Sequence, residues 1–511
     1  MKRGGLLTTA LAVLLLAPLV VVVTAPLHAR TTEWAFVLHE LLPSHLRETG
    51  LLLLFSVVLA VVFGTGAAWL VSAFRFPGRD LFRWALVLPL ALPTYVSAIT
   101  FASLFGPTGS IRLALGLPFD IVNLPGLALV FALVLFPYVY LPARAAFSMS
   151  MAPHLDAARM LGGGAVRRFF RVAAPLARPA IAGGAFLVAM ETLNDYGAVK
   201  YYGVHTLTAG IFRAWGGLYD VGSAMRLSGL LLALVLFLVW SESRLRERAL
   251  HSSANHATER IPLIGWKRIM ASAGCGILLF TGFVLPVGAI IIDAFRTADG
   301  SHLRILIPAL GNTLLVGSIA AVLTLALAIA LAYSERHERS RSRIVRWAGL
   351  GYAVPGAVIA LGVMALAGWI GERTGFVLIG GITLLVYAFA VRFLALAGQP
   401  LRAGLAQQQL SLDESARLLG ASPLRTFFSV NMPLLRPALL AAALLVLMEV
   451  VKELPLTMIL RPFDFNTLST RVFELARIEQ WADAALPALM IVLCGLVPVL
   501  LLDRMLERAG R

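Results

Sequence analysis

The sequence predicts an all-α integral membrane protein of about twelve transmembrane helices in two parallel homologous halves. Three observations carry this. Hydrophobic residues make up 59% of the 511 and charged residues only 14%, too few polar side chains to cover a soluble protein of this length. Apolar runs of roughly 20 residues, the length that crosses a bilayer, recur along the chain. One basic, glycine-punctuated segment occurs twice at a fixed spacing, the mark of a duplicated unit.

The runs predict spans over 5–26, 50–74, 84–106, 124–147, 177–198 and 222–240, then 269–293, 310–333, 347–369, 375–397, 437–458 and 484–503. Lys2 and Arg3 precede the first run, and Ala25 and Ala29 follow it, as in a secretory signal. Its apolar part is long for a signal, so an uncleaved helix is expected. Pro89, Pro93 and Pro355 fall inside predicted spans, where proline bends a helix and frees carbonyls. The basic segments follow the even-numbered spans: Arg75, Arg79 and Arg83; Arg167, Arg168 and Arg171; Arg244, Arg246 and Arg248; Arg339, Arg341, Arg343 and Arg346. Basic loops stay in the cytoplasm, and Arg504, Arg508 and Arg511 agree with Lys2 and Arg3 that both termini lie there too. Residues 241–268 are polar and charged without apolar periodicity, and read as a cytoplasmic linker between halves 1–240 and 269–511.

The net charge of +16 does not indicate nucleic acid, because the arginines sit in short stretches between apolar runs. Cys275 and Cys494 each lie within an apolar run, without a second cysteine or histidine at ligand spacing, and are read as packing residues. None of the nine histidines forms an HExxH-like cluster, so no structural zinc or haem site is expected.

The repeat is specific. Residues 156–180 read DAARMLGGGAVRRFFRVAAPLARPA and residues 414–438 read ESARLLGASPLRTFFSVNMPLLRPA. Ala158, Arg159, Leu161, Gly162, Arg167, Phe169, Phe170, Val172, Pro175, Leu176, Arg178, Pro179 and Ala180 recur 258 positions later without a gap. Charge alone does not keep Gly, Phe-Phe and Arg-Pro in register. Residue types predict helix, glycine turn, helix in each copy, lying near 153–180 and 411–438. Arg83-Trp84 with Ala91-Leu92-Pro93 finds an echo in Arg346-Trp347 with Ala353-Val354-Pro355. Both copies follow an even number of spans, so the halves share one orientation.

These segments resemble the EAA loop of binding-protein-dependent ABC importer permeases of the type I kind. The matching residues are Asp156, Ala157, Ala158, Gly162 and Pro175 in the first copy, and Glu414, Ser415, Ala416, Gly420 and Pro433 in the second. The resemblance implies that each loop is a coupling helix seated in a groove of an ATPase subunit. Asp156 replaces the usual Glu, Ser415 the usual first Ala, and Ala174 or Met432 a Leu before the proline, so the two contacts are expected to be unequal. No GxxxxGK[ST] loop exists, so the chain is expected not to be an enzyme, with ATP and Mg bound by a partner ATPase. Two loops imply two ATP-binding cassette subunits. The resemblance further implies a periplasmic substrate-binding protein and the bacterial inner membrane.

Glu191 and Asp195 in METLNDYGAVKYYG, and Glu449 and Glu453 in MEVVKELPLTMILRP, repeat the same offset. The i, i+4 spacing puts each pair on one helix face. A carboxylate at the bilayer centre costs about 2.5–3.5 kcal/mol and therefore faces protein, water or a countercharge. Two roles stay open for these pathway candidates: lining a translocation route, or pairing with Lys452 or Lys200 near headgroup level. Tyr95, Tyr196, Tyr201 and Tyr202 are oxygen donors or interfacial aromatics.

The fused halves, with DYGAV and FxxW after the first signature and KELPLTMILRP after the second, look like ferric-iron importer permeases. Related fused permeases take thiamine or phosphonates. Hard oxygen ligands suit a ferric ion, although four carboxylates do not identify a cargo and the metal ligands stay unassigned. An ion-coupled secondary transporter would carry its strongest motif elsewhere, after the second helix of each half. A membrane-embedded enzyme would cluster nucleophile, base or metal-ligand residues within the spans, and none cluster.

Overall fold

The computed structural model describes residues 2–28, 31–149, 164–247, 260–297, 300–337 and 349–509, nearly all of them helical. Among the described residues, eight unbroken helices are long and apolar enough to cross a membrane, and three helix pairs bent at a short break bring the number to 11. The shorter apolar helix Trp481–Leu496 follows them. In the first half the spans are Thr8–Ala25, Trp34–Ala73, the bent pair Arg79–Ala91 with Thr94–Leu115, the bent pair Leu124–Leu135 with Pro137–Ser148, Val166–Asn194 and Val221–Leu245. In the second they are Trp266–Thr297, Leu306–Arg336, Gly356–Thr374, Ile382–Gln407, the pair Leu424–Leu434 with Arg436–Lys452, and Trp481–Leu496.

The prolines act at the breaks. Leu88–Ala91 tightens into a 3-10 turn, Pro93 takes an extended conformation, and the next helix leaves at 93°. Gly349–Ala353 and Pro355 repeat this device ahead of Gly356–Thr374. Proline lacks the N–H and clashes with the preceding turn, so the ladder stops where it stands. Carbonyls freed within a membrane need internal donors. Val354 O finds one in Arg392 Nη1 at 3.0 Å.

Packing does not follow the sequence division. Thr8–Ala25 lies against Gly356–Thr374 of the other half, and Ala12, Leu15 and Val22 share a buried cluster with Val358, Ile359 and Phe389. Trp266–Leu279 in turn packs on Trp34–Ala73 and Arg79–Ala85, with Ala271 and Cys275 buried among Val71 and Phe74. Each half thus lends its first span to the other. A two-residue parallel pairing of Phe74–Arg75 with Ile261–Pro262 ties the end of the linker to the loop after the second span.

Candidate functional site

The fifth and eleventh spans end at the second carboxylate of each pair. Helix Ala174–Asn194 stops at Asp195 (ψ 132°) and helix Arg436–Lys452 at Glu453 (ψ 118°). Asp195 and Glu453 therefore turn out of the helical face that their spacing predicts. Each caps the short helix that follows: Asp195 Oδ1 accepts from Ala198 N at 2.8 Å and Val199 N at 3.3 Å, and Glu453 Oε1 accepts from Leu456 N at 3.2 Å. A carboxylate side chain accepts the orphan N–H groups of a first helical turn, and Pro455 at the start of its helix has no N–H to satisfy.

These turns bring all four carboxylates to one cavity of about 60 Å³, lined by Glu191, Asp195, Glu449 and Glu453 together with Pro93, Tyr95, Tyr138, Asn194, Tyr196 and Lys452. Sequence offset has become spatial proximity. Each acid has a different partner. Lys452 Nζ lies 2.8 Å from Glu449 Oε1. Glu453 pairs with Arg392 at 3.4 Å, both side chains nearly sealed from solvent. Asp195 accepts a short hydrogen bond from the Thr94 hydroxyl. Among the described residues Glu191 has only a long contact from the Tyr138 hydroxyl, at 3.4 Å. The Tyr95 hydroxyl is buried and unpartnered on the same wall. Lys200, the other cation considered from the sequence, is exposed beyond the cavity.

The halves meet here at close range. Gly356 N donates to Asn194 Oδ1 at 2.8 Å, and a Cβ on Gly356 would stand 2.3 Å from Glu453 Oε1. Only glycine admits that approach. The Tyr196 ring stacks on Phe212 at 3.6 Å between centroids and leans on Phe473 of the second half at 5.4 Å. Tyr202 instead donates to the Ala98 carbonyl at 3.1 Å, and Tyr201 packs edge-on against Trp481. Among the described residues no group of three or more His, Cys, Asp or Glu side chains is placed to hold a metal ion.

Arg392, Tyr138, Thr94, Asn194 and Gly356 are site residues that sequence reasoning missed. Arg392 left a signal, since it is one cation inside the apolar run LLVYAFAVRFLALAG, and intramembrane charges mark function or pairing. The position 258 residues earlier is Val134, which lines the cavity. Its half has no such cation there.

The repeated element is described in its second copy. Helix Leu410–Leu418 carries Glu414, Ser415 and Ala416, with Glu414 and Ser415 exposed. Gly420 follows at φ +81°, the left-handed position that ends helices. Pro423–Thr426, a π turn Phe427–Asn431 and Met432–Leu434 with Pro433 complete it. Leu418 and Leu419 are each 89% exposed, and Leu424 and Phe428 project beside them. In the first copy Asp156, Ala157, Ala158 and Gly162 lie outside the described residues; Pro175 stands in the first turn of Ala174–Asn194, after a π turn Phe169–Ala173 that matches the second copy.

Comparison with known proteins agrees with the duplication. The chain matches the binding-protein-dependent transport system inner membrane component family twice, over residues 60–241 and 323–511. It is 28% identical over 476 residues to the Fe(3+)-transport system permease protein FbpB 2 of Haemophilus influenzae, covering 90% of this chain and 89% of that one. The sulfate transport system permease protein CysT of Salmonella typhimurium is 30% identical over 195 residues, 37% of this chain and 70% of its own. CysW of Escherichia coli, also a sulfate transport system permease protein, is 31% identical over 158 residues, 30% of this chain and 53% of its own. With apolar spans throughout and two matches to one family, this chain belongs to the binding-protein-dependent transport system inner membrane components, as a multi-pass permease with two copies of the family unit.

Proposed function

We propose that this permease moves ferric iron from a periplasmic binding protein into the cytoplasm, driven by two ATP-binding cassette subunits that bind ATP and Mg. The observation that carries the cargo is the sign of the cavity. Four carboxyl groups line the cavity with one cation, Lys452, and Arg392 pairs with Glu453, so acidic groups outnumber basic ones. In a low-dielectric site such a field favours a cation and opposes an oxyanion. Likeness over 90% of the chain to a permease named for Fe(3+) transport supports the same reading. Glu191, Asp195, Glu449 and Glu453 line the passage as oxygen ligands a hard cation exchanges in transit.

Asp156, Ala157, Ala158, Gly162 and Pro175, with Glu414, Ser415, Ala416, Gly420 and Pro433, form the two ATPase contacts. Supporting this are the exposed Leu418 and Leu419 beside Glu414, since an apolar patch ringed by charge marks a protein partner. Both termini and the 241–268 linker lie in the cytoplasm with these contacts. ATP binding in the partner subunits draws the contacts together, and alternating access follows from the two packings of the membrane helices.

Uptake of labelled ferric iron, with thiamine, a phosphonate and sulfate in parallel, tests the cargo in iron-starved cells with and without the chain. Iron uptake that needs the chain, stops on ATP depletion and falls about tenfold or more in E191Q is expected, the loss set by one charge in a dry site. Chain-dependent uptake of a phosphonate or sulfate but not iron would refute the cation reading. Thiamine, itself cationic, would keep the field argument and replace the cargo.

A further inference from the structure

Outside the cavity, the second copy of the repeated element is fastened by a buried ionic node. Arg336, next to the end of helix Gly300–His337, reaches into the corner between Ile382–Gln407 and Leu410–Leu418. Its Nε donates to Asp413 Oδ2 at 3.1 Å, Nη1 to the Leu405 carbonyl, and Nη2 to the Gln409 carbonyl at 3.4 Å. Asn431 Nδ2 donates to Asp413 Oδ1 at 3.0 Å, and Gln408 Nε2 to the Asn431 carbonyl at 3.3 Å. The Arg336 and Asp413 side chains are 7% and 4% exposed. One guanidinium thus gathers the ends of two membrane helices, the docking helix and, through Asp413, the π turn behind it.

Such a node contributes little net stability, because two charges lost their water to make it. What it supplies is geometry: a planar fork with fixed donor directions, adding a second hydrogen bond to the Leu405 and Gln409 carbonyls, which already accept from Gln408 N and Leu412 N. Coupling between distant sites travels through hydrogen-bonded networks and rigid elements of this kind. The residues are particular to the second half. At 258 positions before Asp413 and Asn431 stand Leu155 and Ala173, and ten residues before Arg83, as Arg336 is ten before Arg346, stands Ala73. The halves share an aromatic contact instead, Tyr333 on Phe427 at 5.0 Å and Trp69 on Phe169 at 5.5 Å.

We propose that Arg336 and Asp413 are positioning residues that join the second docking helix to the membrane helix Gly300–His337, so that a push on Leu410–Leu418 moves both as one piece. This rests on the reading of that helix as an ATPase contact. Asn431 completes the joint. The aligned first-half positions hold Ala73, Leu155 and Ala173 instead, so the two contacts do unequal work.

The test is the triple variant R336A/D413L/N431A, which installs the first half's residues and removes both members of the Arg336–Asp413 pair together. The full complex with its ATPase and binding protein is placed in vesicles, and labelled ferric iron taken up is divided by ATP hydrolysed, with labelled sulfate in parallel. Uptake per ATP is expected to fall about fivefold or more, the lower end of ordinary coupling, while the ATPase still co-purifies. R336K, keeping the charge without the fork, should fall by less. An unchanged ratio overturns the proposal. So does loss of the ATPase from the triple variant, since the node would then hold the docking surface itself. With labelled thiamine and a labelled phosphonate run as well, a wrong cargo leaves the ratio readable on another label, whereas a wild-type complex that hydrolyses ATP and takes up none of the four removes the functional reading beneath it.

Discussion

Arg392 and Glu453 illustrate what a buried pair contributes in this protein. Arg392 joins Glu453 to the carbonyl freed at the Pro355 break, and Gly356 leaves room for both. R392M strands the Glu453 carboxylate, so a loss of about 3–5 kcal/mol is expected, whereas R392M/E453L should recover most of it; thermal unfolding of the purified chain in detergent reads both. Asp220 works differently. Burial opposes its ionisation, but hydrogen bonds from Thr32 N, Glu33 N, Ser223 N and Ser223 Oγ outweigh it and hold the carboxyl below its ordinary value. A depressed pKa adds stability above the unfolded-state value near 4, lost as pH falls through the folded-state value. The melting gap between wild type and D220N should therefore be full at pH 7 and close on acidification below about 4. Of these residues Glu453 was read as functional from the sequence, and Arg392 left the signal of a cation inside an apolar run. The spacing of Glu453 repeats that of Asp195, while Arg392 and Gly356 acquire their roles only when the tenth and ninth spans fold against it.

Elements were legible where periodicity ran long. The apolar runs, the glycine turn at Gly420 and the interruptions at Pro93 and Pro355 all answer to local chemistry, but bounds moved: the spans predicted over 50–74, 347–369 and 375–397 run Trp34–Ala73, Gly356–Thr374 and Ile382–Gln407, since polar and proline-broken ends are set by packing and not by hydropathy. Gly197–Tyr201, Leu207–Phe212, Pro455–Leu460 and Leu468–Arg477 escaped, because five to ten residues carry no usable hydropathy period. Those short helices turn Asp195 and Glu453 into caps, so the cavity's shape was hidden along with them. Gly420 gives the sharpest test at this scale. A Cβ there meets nothing within 4 Å, so G420V pays only for its left-handed backbone, about 1–2 kcal/mol. Uptake should drop while membrane abundance, read by quantitative blotting, stays near wild type. Unchanged uptake would show that the angle of Leu410–Leu418 does not matter.

Across the whole molecule, duplication was legible from thirteen identities in register, and the exchange of first spans was not. Nothing local says that Thr8–Ala25 lies on Gly356–Thr374; that is decided by which surfaces remain once each half has packed its other helices. The exchange bears on the ambiguous leader-like start. Ala12, Leu15 and Val22 are buried in the shared core, and a cleaved chain would uncover it. Intact mass of the membrane-extracted protein is expected to include residues 2–28, and a mature form lacking them would contradict this packing.

The lone Arg392 and its counterpart Val134 have one more consequence. A permease assembled from two copies of one polypeptide is bound by its own symmetry: any side chain placed on one wall is placed on the other, and a single buried cation becomes two facing each other across the axis. Covalent fusion lifts that restriction. Each half here can mutate without dragging its mirror image along, which allows Lys452 where the first half has Asn194, and Arg392 where it has Val134, in what began as the same place twice.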